Sequence, residues 1–426
     1  MNRRKFLTRL IATYCAAGAF FFDNPFRPRF RIARAATGKT LVVVFQKGGC
    51  DGLNTIVPYG DPDYYIYRPT LAIAAPSGSD PAAAINLDGF FGLHPGLAAF
   101  ETIFQAGDLA ILPTVHYPNA VRSHFDGQDL IQTAAAVAQQ GLDGWLNRHL
   151  VSQAGNALLR AVGYGQSEDA GVPDSLRGEA VVSTFGDMTN FGLQLPPEEE
   201  TALLQRLTQI YDQSPDPAKA YSQLVHDFGR AVISDVALIS GIDFAGYSPA
   251  NGATYPNSWL GRQMKQTAQL IKEGVGLEIA ALTKHGWDDH QNQGAGNIDG
   301  SQFQRHAEFS ESIAAFYQDL GALMNDVVLL TMTEFGRTAR ENASGGTDHG
   351  NAATWFVMGA AVNGGIYLGS GWPGLAPLQL REDRDLAHTI DYRDVYGEVI
   401  ARHLGNNNLA TVLPGHTYSP VGFLPA

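Results

Sequence analysis

The residues able to do chemistry in this sequence fall in four short clusters, each just behind an apolar run. Asp51 closes the first, in Lys47-Gly48-Gly49-Cys50-Asp51-Gly52, and Ser123-His124 forms the second. Asp288 and His290 lie in the third, and Glu334 with Asp348-His349 makes the fourth, behind the run VVLLTMT. Carboxylate plus imidazole is the donor set that zinc, manganese and similar divalent ions take. Each group alone has a plainer reading: an Asp before Gly caps a turn, and a Ser at a helix start caps the helix. Recurrence at four strand ends is harder to explain by folding alone, and it points to one shared metal site.

The elements that must position these clusters follow from hydrophobic pattern. Residues 39–46 (KTLVVVFQ), 108–115, 275–283, the run from Val327 and residues 352–362 read as strands buried on both faces. Residues 94–105, 123–137, 217–239, 257–272, 302–324 and 392–404 read as helices. Strands alternating with helices predict a doubly wound α/β fold, a mostly parallel sheet with helices on both faces. In such a sheet, ligands collect at the carboxyl ends of the strands, where all four clusters fall. Residues 141–215 alternate short apolar pieces with Gly and Pro turns and read as an irregular, cap-like insertion.

The first 35 residues differ from the rest. Arg3-Arg4 precede Phe6-Leu7, an apolar run follows over 11–22, and Ala33-Arg34-Ala35 fits a small-x-small cleavage site. The apolar run is too short to span a bilayer. This resembles a twin-arginine export signal, which implies use of the twin-arginine export machinery and a periplasmic or secreted protein with no stable membrane insertion after cleavage. Removing these residues, which hold eight Lys/Arg against one Asp, takes the net charge from −13 to −20. That balance argues against nucleic acid as a partner. Cys15 leaves with the leader and Cys50 stays alone, so no internal disulfide is expected.

Asp51 after the first strand, Ser123 at a helix start and the late Thr347-Asp348-His349-Gly350 resemble the alkaline phosphatase superfamily. More closely, GGCDGLNTIVPYGDPDYY, RSHFDGQD, GWDDHQNQ, TEFGRT and GGTDHG are similar to an exported, sulfatase-like family known as domain of unknown function 1501. The resemblance covers residues 36–426 as a single alkaline phosphatase-like domain. It implies a phosphate or sulfate ester, small or polymer-borne, as substrate and divalent ions (Zn, Mn, Mg or Ca) as cofactors. By the superfamily's roles, Asp51, Asp348 and His349 would hold one ion, and Asp288 with His290 would belong to a second. Ser123 would be the nucleophile, with His124 beside it, and Arg122 or Arg337 would bind the non-bridging oxygens through a planar fork.

The pattern departs from the superfamily in four places. The last histidine expected for the second ion has no clear counterpart, with His388 and His416 as late candidates and His124 and His285 as nearer ones. Asp288 and His290 are two apart where Asp-x-x-x-His is usual. Glu334 stands where relatives place the Asp-His pair, either as an added ligand or as a group that orients one. No (C/S)-x-P-x-R motif is present, which disfavours a formylglycine sulfatase. Two functions remain open: a metal-dependent hydrolase or transferase, and an inactive exported binding or assembly protein that keeps the fold and at most one structural metal.

Overall fold

A computed structural model describes residues 38–426 apart from 119–120, 138–141, 154, 156–158, 166–170, 190, 192–194 and 220. The leader expected over 1–35 lies outside the described residues. A nine-stranded mixed sheet runs through the middle of the molecule. Its strands, in chain order, are β1 (Thr40–Lys47), β2 (Leu109–His116), β3 (Ala161–Tyr164), β4 (Ser183–Phe185), β5 (Ile279–His285), β6 (Val327–Met332), β7 (Ala353–Met358), β8 (Gly365–Ile366) and β9 (Ile390–Asp391). Across the sheet the order is β8-β2-β7-β6-β1-β5-β3-β4, with β9 also paired to β2.

β1 shows why the sheet forms. Its side chains alternate between two cores: Leu41, Val43 and Phe45 enter one, Val42 and Val44 the other. A strand buried on both faces needs an unbroken apolar run, and β-branched valines suit the pleat. The strand lies between β5 and β6, parallel to both, with Val43 opposite Ala281 and Leu330. Helices α1 (His124–Thr133), α2 (Trp145–Ser152) and α7 (Tyr392–Glu398) pack on the Leu41 side; α5 (Trp259–Lys272) and α6 (Ser301–Leu320) cover the Val42 side. Helices α3 (Pro197–Tyr211) and α4 (Ser222–Ser240) lie between these groups in the chain and pack against each other. The fold is therefore the doubly wound α/β arrangement that the strand–helix alternation predicts. No described helix is long and apolar enough to cross a membrane.

Segment 141–215 requires a correction. It contributes α2 and extends the main sheet, β3 pairing parallel with β5 and β4 parallel with β3. Strands of four and three residues between Gly and Pro turns carry too little pattern to stand out in sequence.

β7 runs antiparallel to both β6 and β2. Two antiparallel steps restore direction, so β2 points the same way as β1, β5 and β6. The carboxyl ends of these four strands share one edge. A small antiparallel sheet (Ile56–Val57, Gly92–Leu93, Ile85–Asn86) and a satellite core around Leu53, Tyr64 and Leu380 flank it.

Candidate metal centre

Four loops meet at the shared edge, and buried contacts fix how they meet. Behind β1, Gly48 takes a φ of +131°, and a Cβ there would stand 2.7 Å from the Asp288 backbone nitrogen. Only glycine lets the β1 and β5 loops touch in this way. Its N–H donates to both Glu334 oxygens, at 2.9 and 3.1 Å. Behind β5, buried Trp287 donates its indole N–H to the Lys284 carbonyl at 3.1 Å and pins the turn that presents Asp288. Behind β6, Arg337 is buried and clamps three loops. Its Nε donates to the Gly49 carbonyl (2.6 Å), Nη1 to the Thr347 carbonyl (2.9 Å), and Nη2 to the Gly48 and Trp287 carbonyls and to Asp288 Oδ1 (2.7 Å).

Three imidazoles gather around Asp288. His124 Nε2 lies 3.3 Å from Asp288 Oδ2, while His290 Nε2 and His349 Nε2 lie 3.1 and 3.3 Å from Oδ1. On each ring the other nitrogen faces an oxygen. His124 Nδ1 meets Glu334 Oε1 at 2.8 Å, His290 Nδ1 meets Asp348 Oδ1 at 3.1 Å, and His349 Nδ1 donates to the Arg122 carbonyl at 2.8 Å. A carbonyl can only accept, so His349 carries a proton at Nδ1; on His124 and His290 both ring nitrogens face carboxylates, and either can carry the proton.

The cluster makes the centre a candidate cation site. His290 Nε2 and His349 Nε2 are 2.9 Å apart, so with His349 protonated at Nδ1 either a proton on His290 Nε2 or a cation lies between them. His124 Nε2 is buried, and its approach to Asp288 has no hydrogen-bond geometry. A shared proton would relieve one of these contacts; a divalent ion would relieve all of them. Donors about 2.1 Å from one ion lie roughly 3.0–3.4 Å from their neighbours, close to the spacing seen here. Among the described residues, His124, Asp288 and His349 form the set whose ligand atoms all lie within 4.8 Å of one another, and His290 adjoins it.

The surroundings keep the carboxylates charged. Burial pushes Asp288 up, but the Arg337 hydrogen bond and charge, with His124 and His290 behind them, bring it down to about 2. Burial also opposes ionisation of Glu334, and hydrogen bonds from His124, Gln128 and Gly48 hold it below the ordinary glutamate value. The Glu334 hydrogen bond raises His124 against its burial. Burial lowers His349, with the Arg337 and His124 charges adding to it against the Arg122 carbonyl.

The other expected site residues fall elsewhere. Asp51 is buried with both oxygens engaged: Arg68 donates at 2.5 and 2.9 Å and Gln293 at 2.6 Å. It reaches the Asp348–His349 loop through Gln293, whose Oε1 accepts from Thr347 Oγ1 at 2.9 Å, and through Arg68, which donates to the carbonyl of Thr338, the residue whose Oγ1 accepts from the Asp348 N–H. Asp51 is thus paired with Arg68 and Gln293, while His124, Asp288, His290 and His349 gather together. Asp348 orients His290, and Glu334 orients His124, as carboxylates behind metal-binding histidines do. Ser123 is the N-cap of α1, its Oγ 3.4 Å from the Asp126 nitrogen. Arg337 is buried with its donors on protein acceptors, so it does not present a fork to an anion. Arg122 is committed to Asp385 (2.5 and 3.1 Å) and Glu382 (2.8 Å), and it serves the centre through its carbonyl. Gly346 lets its loop pass against the His290–Gln291 backbone.

Three contributors escaped the sequence reading. Gln128, one helical turn beyond His124, donates to Glu334 at 3.0 Å; Arg68 and Gln293 hold Asp51. All three lie in or beside the motifs quoted above, but residue type alone does not reveal a role in orientation.

Fold and centre together define an α/β protein with a histidine-rich cluster, a candidate cation site, at the carboxyl edge of its sheet. The family described as "Protein of unknown function (DUF1501)" matches residues 246–414, a stretch holding Asp288, His290, Glu334, Arg337, Asp348 and His349 but not Asp51, Ser123 or His124. A comparison with curated proteins gives no match. Among solved structures the chain is similar to a sulfatase from Pseudoalteromonas sp., at 11% identity over 100% of this chain and 77% of that one, with a TM-score of 0.40. It is also similar to a protein in the alkaline phosphatase superfamily from Vibrio parahaemolyticus (8% identity, 86% and 71% covered, TM-score 0.31). A third is the phosphonate monoester hydrolase of Agrobacterium radiobacter (10% identity, 90% and 78% covered, TM-score 0.28).

Proposed function

We infer that this protein is an exported hydrolase that holds a divalent ion on His124, Asp288, His290 and His349 and cleaves phosphate or sulfate esters outside the cytoplasm. The observation that carries the reading is the set of three imidazoles, each with Nδ1 fixed on an oxygen and Nε2 turned toward Asp288. The superfamily resemblance of the surrounding motifs supports the substrate class. When bound, the ion would supply positive charge for the ester's anionic oxygens. Glu334, Asp348 and the Arg122 carbonyl fix the rings, and Arg337 holds the Asp288 carboxylate in place. Ser123, at the positive end of α1 and next to His124, is the candidate nucleophile toward phosphorus or sulfur.

The test is to purify the chain, count its metal by mass spectrometry and assay p-nitrophenyl phosphate and sulfate. Metal with turnover supports the reading, and Ser123→Ala should then abolish turnover while metal content stays. Full activity in Ser123→Ala would remove that residue from the chemistry. A second reading, an inactive binding or assembly protein with one structural ion, is favoured by one observation: the Ser123 hydroxyl already caps α1. Bound metal with no turnover on any ester would select it.

A further inference from the structure

At Asp51 the resemblance implies a metal ligand, and the chain has put something else there. The Arg68 guanidinium is fully buried inside a cage of oxygens. Its Nη1 donates to Asp51 Oδ2 (2.5 Å) and Asn54 Oδ1 (2.7 Å), Nη2 to Asp51 Oδ1 (2.9 Å) and the Thr338 carbonyl (2.9 Å), and Nε to the Ala339 carbonyl (3.1 Å). The cage is itself held rigid. Asn54 donates to the Leu71 carbonyl at 2.8 Å and accepts from the Tyr64 hydroxyl at 2.8 Å, while the Glu341 carboxylate takes the Thr70 and Leu71 N–H groups. An all-oxygen cage around a carboxylate is what a hard divalent ion would use. A planar, permanently charged fork fills it here, leaving neither room nor uncompensated charge.

We propose that Arg68 is the resident cation of this cage, so that the edge carries one divalent ion rather than two. On this proposal Asp51 is a positioning residue. It acts through Gln293 and Thr347 on the loop that delivers Asp348 and His349. The inference rests on the preceding reading for the single ion it keeps, and stands apart from it for the cage.

Two measurements test it. The metal-free chain is titrated calorimetrically with zinc, comparing wild type, Asp51→Asn and His349→Ala. One equivalent is expected in wild type and in Asp51→Asn, with affinities within about 10-fold, as for a change behind the ligands. No tight equivalent is expected in His349→Ala. Two equivalents in wild type, one of them lost in Asp51→Asn, overturn the proposal; if Asp51→Asn does not fold, the wild-type count decides, one supporting and two overturning. The second measurement is thermal melting of Arg68→Gly with and without millimolar methylguanidinium. The variant's Tm should fall and then rise with methylguanidinium, with no such rise in wild type. If the variant is unfolded alone, recovery of soluble protein on refolding with methylguanidinium is the readout. A wild-type count of zero refutes the histidine centre instead, and the rescue then decides the cage: recovery supports it, no response overturns it.

Discussion

Asp288 and Asp51 stand at the same edge of one sheet, behind adjacent parallel strands, in opposite surroundings. The Asp288 side chain is 47% exposed and faces three imidazole nitrogens; the Asp51 side chain is 1% exposed and faces a guanidinium that takes both its oxygens. Position at a strand's carboxyl end therefore does not by itself leave a carboxylate free to take an ion. The deciding factor is whether positive charge is already built into the chain around it. At Asp51 it is; at Asp288, Arg337 touches one oxygen and three imidazole Nε2 atoms lie close by.

Mutations can break or sharpen this contrast. The largest effect belongs to the cage. Arg68→Met leaves a buried carboxylate unpaired and should cost about 3–5 kcal/mol of folding stability in denaturant titration. Metal affinity of the folded fraction should stay within about 10-fold, since the cage lies behind the ligands. A stability change under about 1 kcal/mol, the range of an exposed pair, would mean the pair is not the buried anchor described. Next comes the open side. His349→Ala should weaken metal binding about 100- to 1000-fold, one ligand's share of the roughly 10–16 kcal/mol of a four-ligand zinc site. Unaltered calorimetric affinity would exclude His349 as a ligand. Smaller again is Glu334→Gln, which keeps an oxygen for His124 but removes its charge. About 10-fold weaker metal binding is expected, with the melting curve showing the fold intact.

A control lies at the opposite edge of the sheet. Glu278, just before β5, is another buried carboxylate held by protein donors: Arg160 donates at 2.5 and 3.0 Å, and His149 Nε2 lies 2.6 Å away. Burial pushes its carboxyl up, yet His149 and Arg160 bring it from 4.5 down to about 2. A folded value below the unfolded one means this stabilisation is fully present above pH 4.5 and is lost as pH falls toward 2. Between pH 6 and 8 it contributes no slope. Acid unfolding of Glu278→Gln should therefore be shallower than that of wild type over pH 4.5 to 2. Equal slopes would show that Glu278 is not part of the acid transition.

Much of the fold was legible because burial leaves a pattern. The run from Val327 is a strand as expected, 39–46 became Thr40–Lys47, and 257–272 became Trp259–Lys272. β3 and β4 were missed because so few residues show no period, and the strand expected from 275 begins only at Ile279. In the centre, Asp288, His290 and His349 stood out by type and by their place behind strands. His124 stood out with them in the Ser123-His124 cluster, but its role did not, because Ser123 and His124 compete for the same reading and only helix geometry separates them. The N-cap serine turns toward the Asp126 nitrogen, and the first helical residue turns toward Glu334. The Arg68–Asp51 pair was invisible for another reason: an ion pair across seventeen positions follows no periodicity.

The most direct test is anomalous diffraction at the absorption edge of the metal bound to a crystal of the purified chain. A single peak enclosed by the Nε2 atoms of His124, His290 and His349 and by the Asp288 carboxylate is the expected result. No peak there, or a peak against the Asp51 carboxylate, would contradict it.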